Sequence, residues 1–189
     1  MHDDGLHPAA DPSATAAGGW TGGVPGTIAF PMVEGRRSLI VEVQALVAET
    51  RSSQPRRSVK GIDAARIHQI LAVLDRHVGL GFGSLDVYVG VVGGIRVREP
   101  AADLPVAVAL ASSVLNRPAG RTAAWGEVGL TGEIRPVSLA ERRRKEAERF
   151  GLGVLAPGPG AGHLRDALAS LGLRSADGAR RFAAAGRTS

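Results

Sequence analysis

The chain has 189 residues, 44% of them hydrophobic and 22% charged, enough for one compact domain with a sizeable core plus roughly thirty residues of tail. It contains no cysteine, which excludes a disulfide framework, thiolate zinc sites, iron–sulfur clusters and a cysteine nucleophile. Its net charge of +5 is carried almost wholly by arginine, with Lys60 and Lys145 the only lysines; that excess suits a polyanion partner, although an Ala-, Gly- and Arg-rich composition also follows from coding bias.

Residues 1–23 are Ala, Gly, Pro, Asp and Ser around an isolated Trp20, too polar to offset the entropy of ordering, and read as a disordered leader. No basic stretch followed by an apolar one opens the chain, so no signal peptide is expected. Residues 26–33 and 39–47 read as two strands about the Glu34-Gly35 turn, a hairpin. A polar loop, expected to be flexible, follows over 52–60. Then Ile67, Ile70, Leu71, Leu74 and Val78 recur at helical spacing, with Gly79 as the stop. Residues 85–92 and 95–98 read as a second strand pair about Gly93-Gly94.

A buried helix is predicted next, with Leu104, Ala107, Val108, Ala111 and Leu115 on its face, Asp103 as its N-cap and Pro118 ending it. Its nearly apolar run, 104–115, falls well short of the roughly 20 residues that span a bilayer, so a soluble, cytoplasmic chain with no membrane partner is expected. Residues 123–130 and 134–137 read as strands about Thr131-Gly132. Ser138 and Glu141 have the spacing of a capping box that starts a third helix. A short strand over 153–156 and a helix bearing Leu164, Ala167, Leu168 and Leu171 complete an α+β domain over 24–173. Residues 174–189 read as a basic, flexible tail.

Several chemistries have no motif here. There is no G-x-x-x-x-G-K-[ST] phosphate cradle, so ATP hydrolysis by this chain is not expected. Gly90, Gly93 and Gly94 do not form a dinucleotide fingerprint and read as a strand turn. His68 and His77 lie on different faces of one predicted helix, without a third ligand at metal spacing. His77 is expected to help cap the helix C-terminus and His68 to face solvent. No metal and no cofactor are expected.

Two blocks are informative: residues 86–113, DVYVGVVGGIRVREPAADLPVAVALASS, and residues 126–137, GEVGLTGEIRPV. They resemble the Lon-protease-like domain that ends the bacterial RadA (Sms) DNA-repair proteins. Residues 38–47, Pro55-Arg56-Arg57, 61–63, 71–74, Glu146-Ala147 and Phe150-Gly151 extend the likeness, which covers about 24–157. The resemblance implies a Lon-protease-like fold, of the ribosomal protein S5 domain 2 type, with mixed sheets and packed helices.

Active Lon proteases use a serine nucleophile and a lysine base, a lowered-pKa amine taking the hydroxyl proton. Aligned on Pro100, this chain has Ala101 at the serine position and Glu141 at or beside the lysine position; Lys145 is about one turn further on. Ser112 and Ser113 lie too far along the buried helix to replace the nucleophile. The resemblance therefore implies a non-catalytic scaffold and oligomerisation module, forming a hexameric ring and working with a RecA-type recombinase on DNA, mainly single-stranded. A Lon-like serine peptidase, and the Lon-like domain of magnesium-chelatase-type AAA proteins, are the alternatives. The zinc module and ATPase of the full RadA pattern have no counterpart here, so motor activity does not carry over.

Arg56, Arg57 and Lys60, on the 52–60 loop, are the first candidates for phosphate contact, with a plain solvated loop as the other reading. Arg142, Arg143 and Arg144 form a second cluster, expected at a subunit contact or a solvated face.

Overall fold

A computed structural model describes residues 22–174. Nearly all of the expected leader and tail, 1–21 and 175–189, lies outside the described residues. Strands β1 (Thr27–Glu34) and β2 (Arg37–Glu49) form the predicted antiparallel hairpin, Thr27 pairing with Gln44 and Glu34 with Arg37. β2 pairs in turn with β4 (Leu85–Val91), antiparallel, from Val43 opposite Val91 to Glu49 opposite Leu85. With β3 (Arg57–Lys60), β5 (Thr122–Ala124) and β8 (Gly153–Leu155) they make one six-stranded mixed sheet, ordered β3-β4-β2-β1-β5-β8. A separate ribbon joins β6 (Glu127–Val128) to β7 (Ile134–Arg135).

Alternation decides which face of the sheet is wet. Val43, Ala45 and Val47 of β2 and Leu85, Val87, Val89 and Val91 of β4 point inward and are buried, as period-2 patterning requires. Those of β2 meet α2 (Asp103–Leu115), whose Leu104, Val106 to Ala111 and Ser112 are all sealed from solvent. Its many alanines let it lie close to its neighbours as a central helix. β1 is buried on both faces, between α2 and α3 (Ala140–Arg149). α1 (Ala64–Val73) and α4 (Leu164–Ser170) flank α2.

The serines of α2 fasten it to the hairpin. Ser112 Oγ accepts from Gly26 N at 2.9 Å and donates to Arg117 O at 2.5 Å. Ser113 Oγ accepts from Val47 N at 2.9 Å.

Six details correct the sequence reading. Residues 57–60 are a strand rather than part of a flexible loop: Val59 alternates inward and β4 offers its parallel edge, Lys60 pairing with Gly90. Residues 95–98 are not a strand, because β4 already has β3 and β2 on its two edges. Instead Gly93 and Gly94, at φ 83° and 70°, turn the chain out of the sheet, a backbone state that glycine adopts at little cost.

Helix α2 is entered through a 3-10 turn, Pro100–Ala102, so Asp103 lies inside the helical path and is not its cap. Asn116, left-handed at φ 51°, ends the helix before Pro118. Ser138 and Glu141 form no capping box. Leu139, left-handed at φ 60°, occupies the cap position without a side-chain bond, and the Ser138 carbonyl accepts instead from Arg143 Nε at 3.3 Å.

α1 continues as a π turn, Leu74–Val78, before Gly79 stops it in the left-handed region as predicted. His77 does not cap it, however. Its Nε2 lies 3.0 Å from Leu130 O, and Arg165 donates to the His77 carbonyl at 2.7 and 3.0 Å. His68 is exposed, as expected.

Candidate nucleic-acid interface

Parallel pairing of β3 with β4 brings Gly61 beside the segment that leaves Gly94. Gly61 has φ 83°, and a Cβ there would stand 2.6 Å from the Ile95 carbonyl oxygen, so glycine is what permits this close approach. Val97 N donates to Gly61 O at 2.7 Å and fixes the register. Val97 is then buried and its neighbours Arg96 and Arg98 are exposed. Together with Lys60, Asp63 and Arg66 they line a cleft of about 790 Å³.

Charge in this cleft is unevenly committed. Lys60, Arg96 and Arg98 make no ion pair or side-chain hydrogen bond among the described residues. Asp63 caps α1, accepting from Ala65 N at 2.9 Å. Arg66 turns inward: its Nε meets Asp103 Oδ1 at 2.7 Å and its Nη2 meets Oδ2 at 2.5 Å. Burial pushes the Asp103 carboxyl above its ordinary value, opposed by Arg66 and by Val128 N, which donates at 3.1 Å. The hydrogen bond to Asp103 in turn raises Arg66.

Of the three cations expected to act together, only Lys60 faces this cleft. Arg57 is half-buried and turns its guanidinium to the main chain, donating to Leu85 O, to Phe82 O at 2.7 Å and to Arg56 O at 3.1 Å. The Arg56 side chain is exposed but stands beside Asp86, which accepts from Arg56 N at 2.8 Å. That backbone bond is the main cause of the lowered Asp86 carboxyl, helped by the Thr50 hydroxyl and by the charges of Arg56 and Arg57. A carboxylate held ionised there offsets the local positive charge.

Arg96 and Arg98 escaped the sequence reading, yet their signal was present: Ile95-Arg96-Val97-Arg98 alternates, and alternation puts both arginines on one side wherever the valine turns inward.

The two positions that the resemblance aligns with a serine–lysine dyad lie elsewhere. Ala101 is 1% exposed within the 3-10 turn, its carbonyl accepting from Gly126 N at 2.9 Å. Glu141 is exposed on the first turn of α3. Of the second arginine cluster, Arg143 is neither solvated nor at a surface. It is 1% exposed, pairs with Glu99, and donates to Pro31 O at 2.6 Å. Arg142 clasps the β1–β2 turn through Gly35 O and Arg36 O at 3.2 and 2.9 Å, and Arg144 lies over the Trp125 ring. Among the described residues no group of three His, Cys, Asp or Glu side chains is placed to hold a metal ion. No helix there is long and apolar enough to cross a membrane.

The chain is 43% identical over 165 residues, 87% of its length, to DNA repair protein RadA of Brucella abortus. It is 44% identical over 155 residues to the protein of the same name in Mycobacterium tuberculosis, and 40% identical over 152 residues to that of Bacillus subtilis. This chain is homologous to part of DNA repair protein RadA. The matched region covers 35%, 32% and 33% of those three RadA proteins, so the chain spans about a third of the length of the relatives it matches. No protein-family model matches it. The RadA likeness includes both sides of the cleft, because a match over 165 of 189 residues necessarily takes in residues 60–98.

Proposed function

We propose that this chain is a non-catalytic, Lon-protease-like module of a RadA-type DNA-repair protein, and that it holds the phosphate backbone of single-stranded DNA in the cleft of Lys60, Arg96 and Arg98. The observation that carries this reading is three unpaired cations around one cleft, in a chain whose relatives are named for DNA repair. Unpaired Lys and Arg side chains release counterions when they meet phosphates, a contribution that does not depend on base sequence. The module acts as a ring-forming platform in the cytoplasm, hexameric by resemblance, beside a RecA-type recombinase, and it needs no cofactor.

The non-catalytic reading rests on Ala101, whose methyl group has no nucleophilic atom, and on Ser112 and Ser113, whose hydroxyls already serve backbone groups.

Fluorescence anisotropy of a labelled oligothymidylate, titrated with the chain across a salt series, tests the DNA contact. Binding by the wild-type chain is expected to weaken as salt rises. In K60Q/R96Q/R98Q the slope of log affinity against log salt is expected to flatten by about 2, near 0.7 for each phosphate of a single strand that is no longer neutralised. Unchanged affinity and slope in that variant overturn the cleft assignment. Light scattering coupled to size exclusion tests the ring, and a monomer at all concentrations refutes it.

A further inference from the structure

Arg66 stands on the wall of the cleft with 32% of its side chain exposed, the right place to meet a ligand phosphate. Its fork nevertheless faces Asp103, a carboxylate with a side chain only 4% exposed, in a two-point pair at 2.7 and 2.5 Å. Asp103 is itself anchored by Val128 N from β6, and Glu127 lies near enough to act on the same pair. The guanidinium therefore arrives at the cleft already neutralised.

We propose that Asp103 is a built-in counter-charge that withholds Arg66 from the phosphates of a bound strand and so restrains the affinity of the cleft. This rests on the reading of the cleft as a phosphate-binding site. A buried ion pair adds little to stability compared with apolar residues of the same volume, so packing alone does not account for an acid sealed beneath a cationic surface. Its position has a direct electrostatic consequence. A phosphate that approaches Arg66 meets the attraction of the guanidinium and the repulsion of a carboxylate just behind it, and the two largely cancel. Lys60, Arg96 and Arg98 have no such partner and set the attraction by themselves. The result is a grip of moderate strength, released readily as a strand slides or is handed on.

The test uses the whole chain and the same labelled oligothymidylate. Asp103→Asn keeps the size of the side chain and an oxygen for Val128 N while removing the charge. The expected result is binding about fivefold to tenfold tighter at low salt, with a salt slope steeper by about 0.7, the signature of one more neutralised phosphate. Adding Arg66→Gln to that variant is expected to return the slope to the wild-type value. A folded Asp103→Asn chain with wild-type affinity and slope overturns the proposal.

Should Asp103→Asn not fold, the wild-type chain decides through its Arg66 Nε–H resonance. That signal is expected to stay in place while the oligonucleotide saturates the chain, and a shift as large as those of Arg96 and Arg98 overturns the proposal. Failure of the cleft reading looks different: there K60Q/R96Q/R98Q binds like wild type, or the wild-type chain shows no salt-dependent binding, and the proposal falls with it.

Discussion

Arg143 gives the sharpest test of how the fold is held. It is 1% exposed and donates to four oxygens: both of Glu99, Pro31 O at 2.6 Å and Ser138 O at 3.3 Å. Its guanidinium carbon also lies 5.6 Å from the centroid of the Phe30 ring. Through it α3 is tied at once to β1 and to the segment that leads into α2. Removing one half of a buried ion pair costs about 3–5 kcal/mol, because the other charge is left uncompensated. Here the Glu99 side chain is 25% exposed, so water reaches the stranded carboxylate, and Arg143→Met is expected at the low end, about 3 kcal/mol. For a chain of this size that is a fall in Tm of roughly 6–12 °C, at about 2–4 °C for each kcal/mol. Urea unfolding followed by circular dichroism gives the free energy, and a thermal scan gives the Tm. Replacing both partners, Arg143→Met with Glu99→Leu, is expected to recover part of the loss, since it removes the stranded carboxylate but leaves Pro31 O and Val33 N without their side-chain partners. A single variant within about 0.5 kcal/mol of wild type, as for an ordinary surface change, refutes the reasoning. So does a double variant whose loss is the sum of the two singles.

Ser112→Ala strands Gly26 N in the interior and takes the hydroxyl donor from the half-buried Arg117 O bond, and a loss of about 1–3 kcal/mol is expected by denaturant unfolding; a neutral outcome would mean that water reaches Gly26 N. The Glu133 carboxyl is held down to about 2, first by the Thr131 hydroxyl and then by its own backbone N–H and Arg135. Because the folded value lies below the ordinary one, this contact favours the folded hairpin above the usual carboxylate range and fades as pH falls towards about 2. A carbon-13 titration should place the Glu133 midpoint there and Thr131→Val should raise it; a midpoint near 4 contradicts the contact. Placing serine and lysine at these two positions with Ala101→Ser and Glu141→Lys is expected to give no peptide hydrolysis, since position 101 is sealed from solvent and Glu141 is exposed. Turnover of a fluorogenic peptide above the wild-type background would show that the site can still admit a substrate.

Elements that announce themselves by long apolar periodicity were legible in the sequence: the β1–β2 hairpin, α1 with its Gly79 stop, and α2. What misled was pattern without knowledge of neighbours. Residues 95–98 alternate as well as any strand, but alternation does not tell whether a sheet edge is vacant, and both edges of β4 are taken. β3 was missed for the opposite reason, since Arg57-Ser58-Val59-Lys60 has one apolar residue and becomes a strand only because β4 lies beside it. The Ser138–Glu141 spacing suited a capping box until Leu139 took a left-handed conformation, which no local signal marks. Arg143 sits between two other arginines in sequence, and only the packing of α3 on β1 shows that one of the three is interior.

The same limit governs the candidate interface, where counting charges along the chain does not tell which cations the fold leaves uncommitted. Arg56 and Arg57 are adjacent in sequence and look equivalent to Arg96 and Arg98, yet their surroundings divide them. Arg57 turns to three carbonyls where the chain enters β3 and β4, two of which, Arg56 O and Phe82 O, also accept a backbone N–H and use their second lone pair for the guanidinium. Arg56 keeps company with Asp86. Arg66 and Arg143 each close on a carboxylate. Arg96 and Arg98, by contrast, flank a buried valine on a segment that bonds to Gly61 through Val97 N, and their guanidiniums stay exposed with no ion pair or side-chain hydrogen bond among the described residues. Cations that meet carbonyl oxygens or acids are consumed by folding, and those without such a partner remain for a ligand. The proposed phosphate contact rests on Lys60, Arg96 and Arg98 being gathered around one cleft and not on net charge, so a variant that instead removes Arg36 and Arg51, which do not line that cleft, should leave the salt slope where it is.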